Sequence, residues 1–119
     1  MLPTQKGTQT EQACCEYLSR AGLRLVEKNY RCKPGEIDLV MRQGDTLVFI
    51  EVRFRRSERF GGALYSVDHR KQRRMIAAAQ HYLQRHRIRT PSRIDVVAMT
   101  ATADGDYRFE WIQDAVSAD

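Results

Sequence analysis

Residues 36–54 read EIDLVMRQGDTLVFIEVRF, and this stretch decides the fold. Two short apolar runs rich in Val and Ile flank Gln43-Gly44-Asp45. Such runs, bounded by turn residues, form strands. A turn this short predicts that strands 36–42 and 46–54 pair as an antiparallel hairpin. The second strand is the most apolar segment of the chain, so its place is the middle of a sheet.

The elements on either side follow from the same signals. A helix is expected from Val67 to His86, with Met75, Ile76, Ala79, Tyr82 and Leu83 as its apolar stripe and Ser66 as its N-cap. Ile94–Thr100 and Tyr107–Ile112 read as strands joined across Asp104-Gly105, and Phe109 and Trp111 share the inward face of the last one. Before the hairpin, Leu23–Tyr30 reads as a strand that ends at the turn Lys33-Pro34-Gly35. A first helix spans Thr8–Ala21, with Ala13, Cys14, Tyr17 and Leu18 at helical spacing, and Gly22 stops it. Residues 1–7 read as a short tail. The order is α-β-β-β-α-β-β, an α/β fold with a mixed sheet flanked by helices. At 119 residues the chain makes a single domain.

Composition narrows the class. Hydrophobic residues make up 42% and charged residues 29%, a globular balance without a disordered signature. No apolar run approaches a membrane span, and the start (MLPTQK) lacks the core of a signal peptide, so a cytoplasmic protein is expected. Cys14, Cys15 and Cys32 read as reduced thiols, the first two within the helix core, and no Cys/His spacing suggests zinc. His69, His81 and His86 read as surface residues.

The net charge of +5 hides a division. Residues 53–93 carry 12 of the 20 basic residues against two acids, a net of +10, and the remainder carries −5. Arg53, Arg55, Arg56 and Arg59 begin the basic segment, and Arg70, Lys71, Arg73 and Arg74 crowd its helix. Phe60 and Gly61-Gly62 supply an adaptable loop between them. Clustering of this kind suits the phosphate backbone of a nucleic acid, read by shape without base-specific contacts. The bland alternative is a solvated helix face.

The other informative residues are acids inside strands. Asp38 stands between Ile37 and Leu39, and Glu51 between Ile50 and Val52. Burying a charge is costly unless it is paired or bound to a metal. Strand alternation puts Glu51 and Arg53 on one face, and Glu36 and Asp38 on one face. Hairpin pairing can then bring Asp38 to Glu51. Two carboxylates in that arrangement suit Mg²⁺ or Mn²⁺, and Arg53 could grip a scissile phosphate. Simple ion pairing of Asp38 and Glu51 with Arg53 and its neighbours is the alternative.

The motifs GEIDLV (Gly35–Val40) and FIEVR (Phe49–Arg53) resemble the core of the PD-(D/E)xK nuclease superfamily. The resemblance is closer to the YraN-like family of predicted endonucleases, related to archaeal Holliday-junction resolvases. It runs nearly end to end, from Gly7 and Glu11 through EVRFRRSERFGG, the Lys71-bearing helix and RIDVV to WIQDA. It implies a restriction-endonuclease-like fold and cleavage of structured or branched DNA by a homodimer. It also implies a metal held by Glu11, Asp38 and Glu51, with Glu16 the competing helix acid. Two positions depart from the superfamily pattern. Arg53 stands where lysine is usual, and no proline precedes Asp38. Arginine clamps a phosphate well but does not give up a proton. A non-catalytic DNA- or RNA-binding module and a protein-interaction subunit are therefore the rival readings.

Overall fold

The computed structural model describes residues 3–55 and 68–117, with side chains from Gly7 onward. Seven elements follow in the expected order: α1 (Pro3–Arg20), β1 (Arg24–Cys32), β2 (Gly35–Gln43), β3 (Thr46–Arg55), α2 (His69–Arg85), β4 (Ser92–Ala101) and β5 (Tyr107–Val116). The five strands form one sheet in chain order. Neighbours pair antiparallel except β3 and β4, which are parallel, with α2 in the connection. β3 is thus central, as its apolarity requires.

Both faces of the sheet are covered. On one, Val40, Leu47, Phe49, Ile94 and Val96 pack with Met75, Ala78, Ala79 and Tyr82 of α2. On the other, Leu39, Met41, Val48, Ile50, Val97 and Met99 pack with Cys14, Cys15 and Leu18 of α1. The alternation along β3 is clean, with Leu47 and Phe49 toward α2 and Val48 and Ile50 toward α1. Phe109 and Trp111 lie half-buried on the α1 face, where Tyr17 stacks on Phe109.

The boundaries hold some corrections. The helix reaches back to Pro3, through most of the expected tail. Proline's fixed φ and missing N–H suit the first turn of a helix. Gly22, at φ 103°, ends α1 as expected. The cap of α2 is Asp68, whose carboxylate accepts the Lys71 N–H at 2.8 Å, and not Ser66. Ser66 lies outside the described residues. β5 runs on to Val116 through an irregularity opposite Asp95. No helix among the described residues is long and apolar enough to cross a membrane.

Candidate functional site

β2 and β3 pair regularly from Gln43↔Thr46 to Leu39↔Ile50. At the next position the Val52 N–H donates to the Asp38 carboxylate at 2.8 Å, so a side chain takes the ladder's place. Alternation also fails here. Ile37 packs on the α2 face and Leu39 on the α1 face, although period two would put them together. The expectation that Glu36 and Asp38 share a face rested on unbroken alternation and does not carry through this kink. Glu36 instead pairs with Arg31 at 3.4 Å, exposed to solvent.

Glu51 continues β3 past Phe49 on the α2 face, with Val52 packed on the opposite side. Its side chain is only 6% exposed. Two cations reach the same Glu51 oxygen, Oε2: Lys71 Nζ at 3.4 Å and Arg53 Nη1 at 3.6 Å. Arg53 arrives by period-two spacing, as expected. Lys71 arrives because it lies one turn before Met75, on the buried stripe of α2. The sequence reading gave Lys71 a role along the DNA backbone and missed its contact with Glu51. Its i−4 spacing from Met75 was the available signal.

The Asp38 and Glu51 carboxyls lie within hydrogen-bonding reach of each other. Burial, and then the Asp38 charge, push the Glu51 carboxyl up to about 7 against the pull of Lys71 and Arg53. Burial also raises Asp38, opposed by the Val52 N–H. Both carboxyls are therefore pushed toward the protonated form, each by burial first. Glu11 lies on α1 near enough to feel the Asp38 charge. Its carboxyl is raised by burial and by Asp38, while a hydrogen bond from Asn29 lowers it. Asn29 sits in β1 with φ 55°, a left-handed conformation that asparagine tolerates. Glu16 is exposed and bonded to Gln12, away from this pair.

The donors are all oxygen, and like carboxyls that close must hold a proton or a cation. That chemistry fits Mg²⁺ or Mn²⁺, which bind one or two protein carboxylates and complete their shells with water and phosphate. Among the described residues no three acidic, histidine or cysteine groups form a ready-made cage. Asp38 and Glu51 converge, and Glu11 interacts with Asp38 through charge.

The basic residues divide. Arg70, Arg73 and Arg74 are exposed on the first turns of α2, the same end at which Lys71 meets Glu51. The basic helix therefore lies beside the acids and not on the far side of the sheet. Arg55 continues β3, and its Nε is buried with no hydrogen-bond partner among the described residues. Arg56, Arg59 and the Phe60–Gly62 loop lie outside the described residues. His69, His81 and His86 are exposed, as expected, and Cys14 and Cys15 are buried.

Residues 10–99 match the Uncharacterised protein family UPF0102. The chain belongs to this family. It is 54% identical over 112 residues to a UPF0102 protein of Methylococcus capsulatus, covering 94% of this chain and 90% of that one. A UPF0102 protein of Nitrosomonas europaea is 47% identical over 110 residues, covering 92% of each chain. One of Pseudomonas fluorescens is 46% identical over 113 residues, covering 93% and 92%. The UPF0102 match includes every described candidate site residue: Glu11, Asp38, Glu51, Arg53, Arg55, Arg70, Lys71, Arg73 and Arg74.

Proposed function

We propose that this UPF0102 protein is a metal-dependent endonuclease of the PD-(D/E)xK type that hydrolyses phosphodiester bonds in structured or branched DNA in the cytoplasm. The observation that carries the reading is the meeting of Asp38, Glu51, Arg53 and Lys71 at the point where β2 and β3 part. Asp38 and Glu51 would hold Mg²⁺ or Mn²⁺, with Glu11 of α1 as the third candidate ligand. Such an ion, when bound, lowers the pKa of a bound water and offsets charge on the phosphate.

The chain's own groups do the rest. The Arg53 guanidinium grips a phosphate oxygen and balances charge that develops during attack. It cannot supply a proton. Lys71 brings an amine to the same carboxylate oxygen, and an amine can exchange a proton. Lys71 thus offers from α2 the chemistry that Arg53 lacks in β3. Arg70, Arg73 and Arg74 hold the backbone by charge, so recognition follows DNA shape. A junction takes two cuts, which points to a homodimer as the working unit.

One observation favours a second reading, a non-catalytic nucleic-acid-binding module of the same fold: arginine at position 53. A labelled panel of junction, flap, single strand and duplex DNA, incubated with Mg²⁺ or Mn²⁺, separates the two. Under the nuclease reading the wild type cleaves at least one branched substrate, and Glu51→Gln and Asp38→Asn each lose about 10²-fold or more. Binding that persists in both variants, with no cleavage in the wild type, selects the binding module. Equal cleavage by wild type and Glu51→Gln sinks the assignment of the site.

A further inference from the structure

A cleft opens beside the carboxylate pair, between the β1–β2 turn and the first turns of α2. Its volume is about 350 Å³, the size of a small-molecule site. Arg31, Lys71 and Arg74 line it, with Glu36 as its one acid, so the lining carries a net charge of +2. Cys32 and Met75 supply an apolar wall. Lys71 belongs to both places, since its Nζ also lies 3.4 Å from Glu51 Oε2. The cleft therefore continues directly from the acids.

The shape of the cleft is fixed by backbone. A Cβ on Gly35 would stand 3.0 Å from the Arg74 carbonyl oxygen and 3.3 Å from the Arg74 Cβ. The turn thus packs so tightly on the helix that any side chain at position 35 would force a shift of a few tenths of an ångström. Arg31 and Arg74, carried by two different elements, are held across one opening as a result. Arg31 engages Glu36 at 3.4 Å, with side chains 74% and 52% exposed. A solvent-exposed pair of this kind contributes little to stability and can be exchanged for a ligand.

We infer that this cleft is a nucleotide subsite in which Arg31, Lys71 and Arg74 bind a phosphate of the strand adjoining the one at Glu51. Three cations around one opening match a phosphate better than a neutral ligand, and guanidinium forks suit its oxygens. The wall of Cys32 and Met75 suits a sugar. The cleft exceeds what a bare anion needs. This assigns Arg31, on β1, to a surface that the charge distribution along the sequence confines to residues 53–93. The inference rests on the nuclease reading for the order of the two phosphates. It does not rest on it for the binding itself.

The test is an NMR titration of the full chain, metal-free, with a 5′-phosphorylated thymidine dinucleotide. The backbone amides of Cys32, Gly35 and Arg74 are expected to shift in the wild type. The double variant Arg31→Ala, Arg74→Ala should bind tenfold or more weakly, while Arg85→Ala, at the other end of α2, binds as the wild type does. Alanine at 74 keeps the carbonyl and Cβ that pack against Gly35, so the fold is preserved. Unshifted amides, or equal affinity in the double variant, overturn the inference. The two proposals fail separately. Dinucleotide binding at these amides without metal-dependent cleavage leaves the subsite standing on a binding module. Cleavage whose KM is unchanged in the double variant removes the subsite and leaves the nuclease.

Discussion

Two acids in this chain look alike in sequence and are opposites in structure. Glu51 stands in Ile-Glu-Val on β3, and Asp95 in Ile-Asp-Val on the neighbouring β4. Asp95 is fully buried and saturated with donors. Arg93 Nε donates to both of its oxygens at 3.0 and 3.2 Å, Trp111 Nε1 at 2.9 Å and the Asp114 N–H at 2.8 Å. Glu51 is nearly as buried, yet its cations stand at 3.4 and 3.6 Å, and it leans on another carboxyl. A buried acid whose lone pairs are filled by the chain holds the fold together. Among the described residues Glu51 has only those two cations and a second acid beside it, which under the proposed function is where the metal enters. Burial alone does not separate the two acids; their donors among the described residues do.

The contrast breaks most visibly at Asp95. Asp95→Ala leaves the Arg93 guanidinium, the Trp111 N–H and the Asp114 N–H without their acceptor. Removing one partner of a buried ion pair costs about 3–5 kcal/mol. Urea unfolding should show a loss of that size, with DNA binding per folded molecule unchanged. Asp95 holds β5 in register, since Asp114 has φ 52° and lies in the irregularity between the pairs Ile94↔Val116 and Val96↔Ile112. A stable Asp95→Ala variant with impaired DNA binding would invert the roles given to the two acids.

At Glu51 the effect is smaller and depends on pH. Its carboxyl rises from 4.5 in the free group to about 7 in the fold. Between those values the folded chain keeps a proton that the unfolded chain has lost. The contribution to stability is therefore complete below about pH 4.5 and is lost as pH rises through about 7, on the order of 3 kcal/mol. Burial raises Asp38 and Glu11 too, which adds to the same slope. Thermal melts of the metal-free protein between pH 4.5 and 8 should show this fall, and Glu51→Gln should flatten it. Excess Mg²⁺ or Mn²⁺ should raise the melting temperature more at pH 8 than at pH 5, because the cation replaces the proton. A slope that Glu51→Gln leaves intact would place the titration elsewhere.

Much of this was legible in the sequence, for identifiable reasons. The 36–54 hairpin rests on period-two alternation and a short glycine-containing turn, both local signals, and the pairing Leu39↔Ile50 that follows from them brings Asp38 to Glu51. Arg53 shares the Glu51 face for the same reason. What escaped depends on contacts between elements. The kink at Asp38 breaks the alternation that would have predicted its neighbours, and Asn29 in β1 takes a left-handed conformation that no strand pattern suggests. Lys71 looked like one cation among many because its reach toward Glu51 is set by how α2 crosses the sheet. Asp95 could be seen only as an acid in a strand. Besides Arg93, its donors come from Trp111 and Asp114, 16 and 19 residues away. Asp68 was read within a basic segment, and its capping role became visible only with the start of α2 placed two residues later than expected.

The finest test separates one donor from the rest. Trp111→Phe keeps an aromatic ring against Tyr17, whose edge contact with Trp111 has centroids 6.5 Å apart, and removes only the indole N–H. Asp95 then retains Arg93 and the Asp114 N–H, so its charge stays compensated. Losing one hydrogen bond to a charged acceptor should cost about 1.5–3 kcal/mol, less than the effect of Asp95→Ala. In the double variant Asp95→Ala, Trp111→Phe the second change should add little, because the bond it removes is already gone. Full additivity in that cycle, read from urea unfolding, would mean that Trp111 stabilises β5 through packing alone. The saturation that sets Asp95 apart from Glu51 would then rest on Arg93 and the Asp114 backbone.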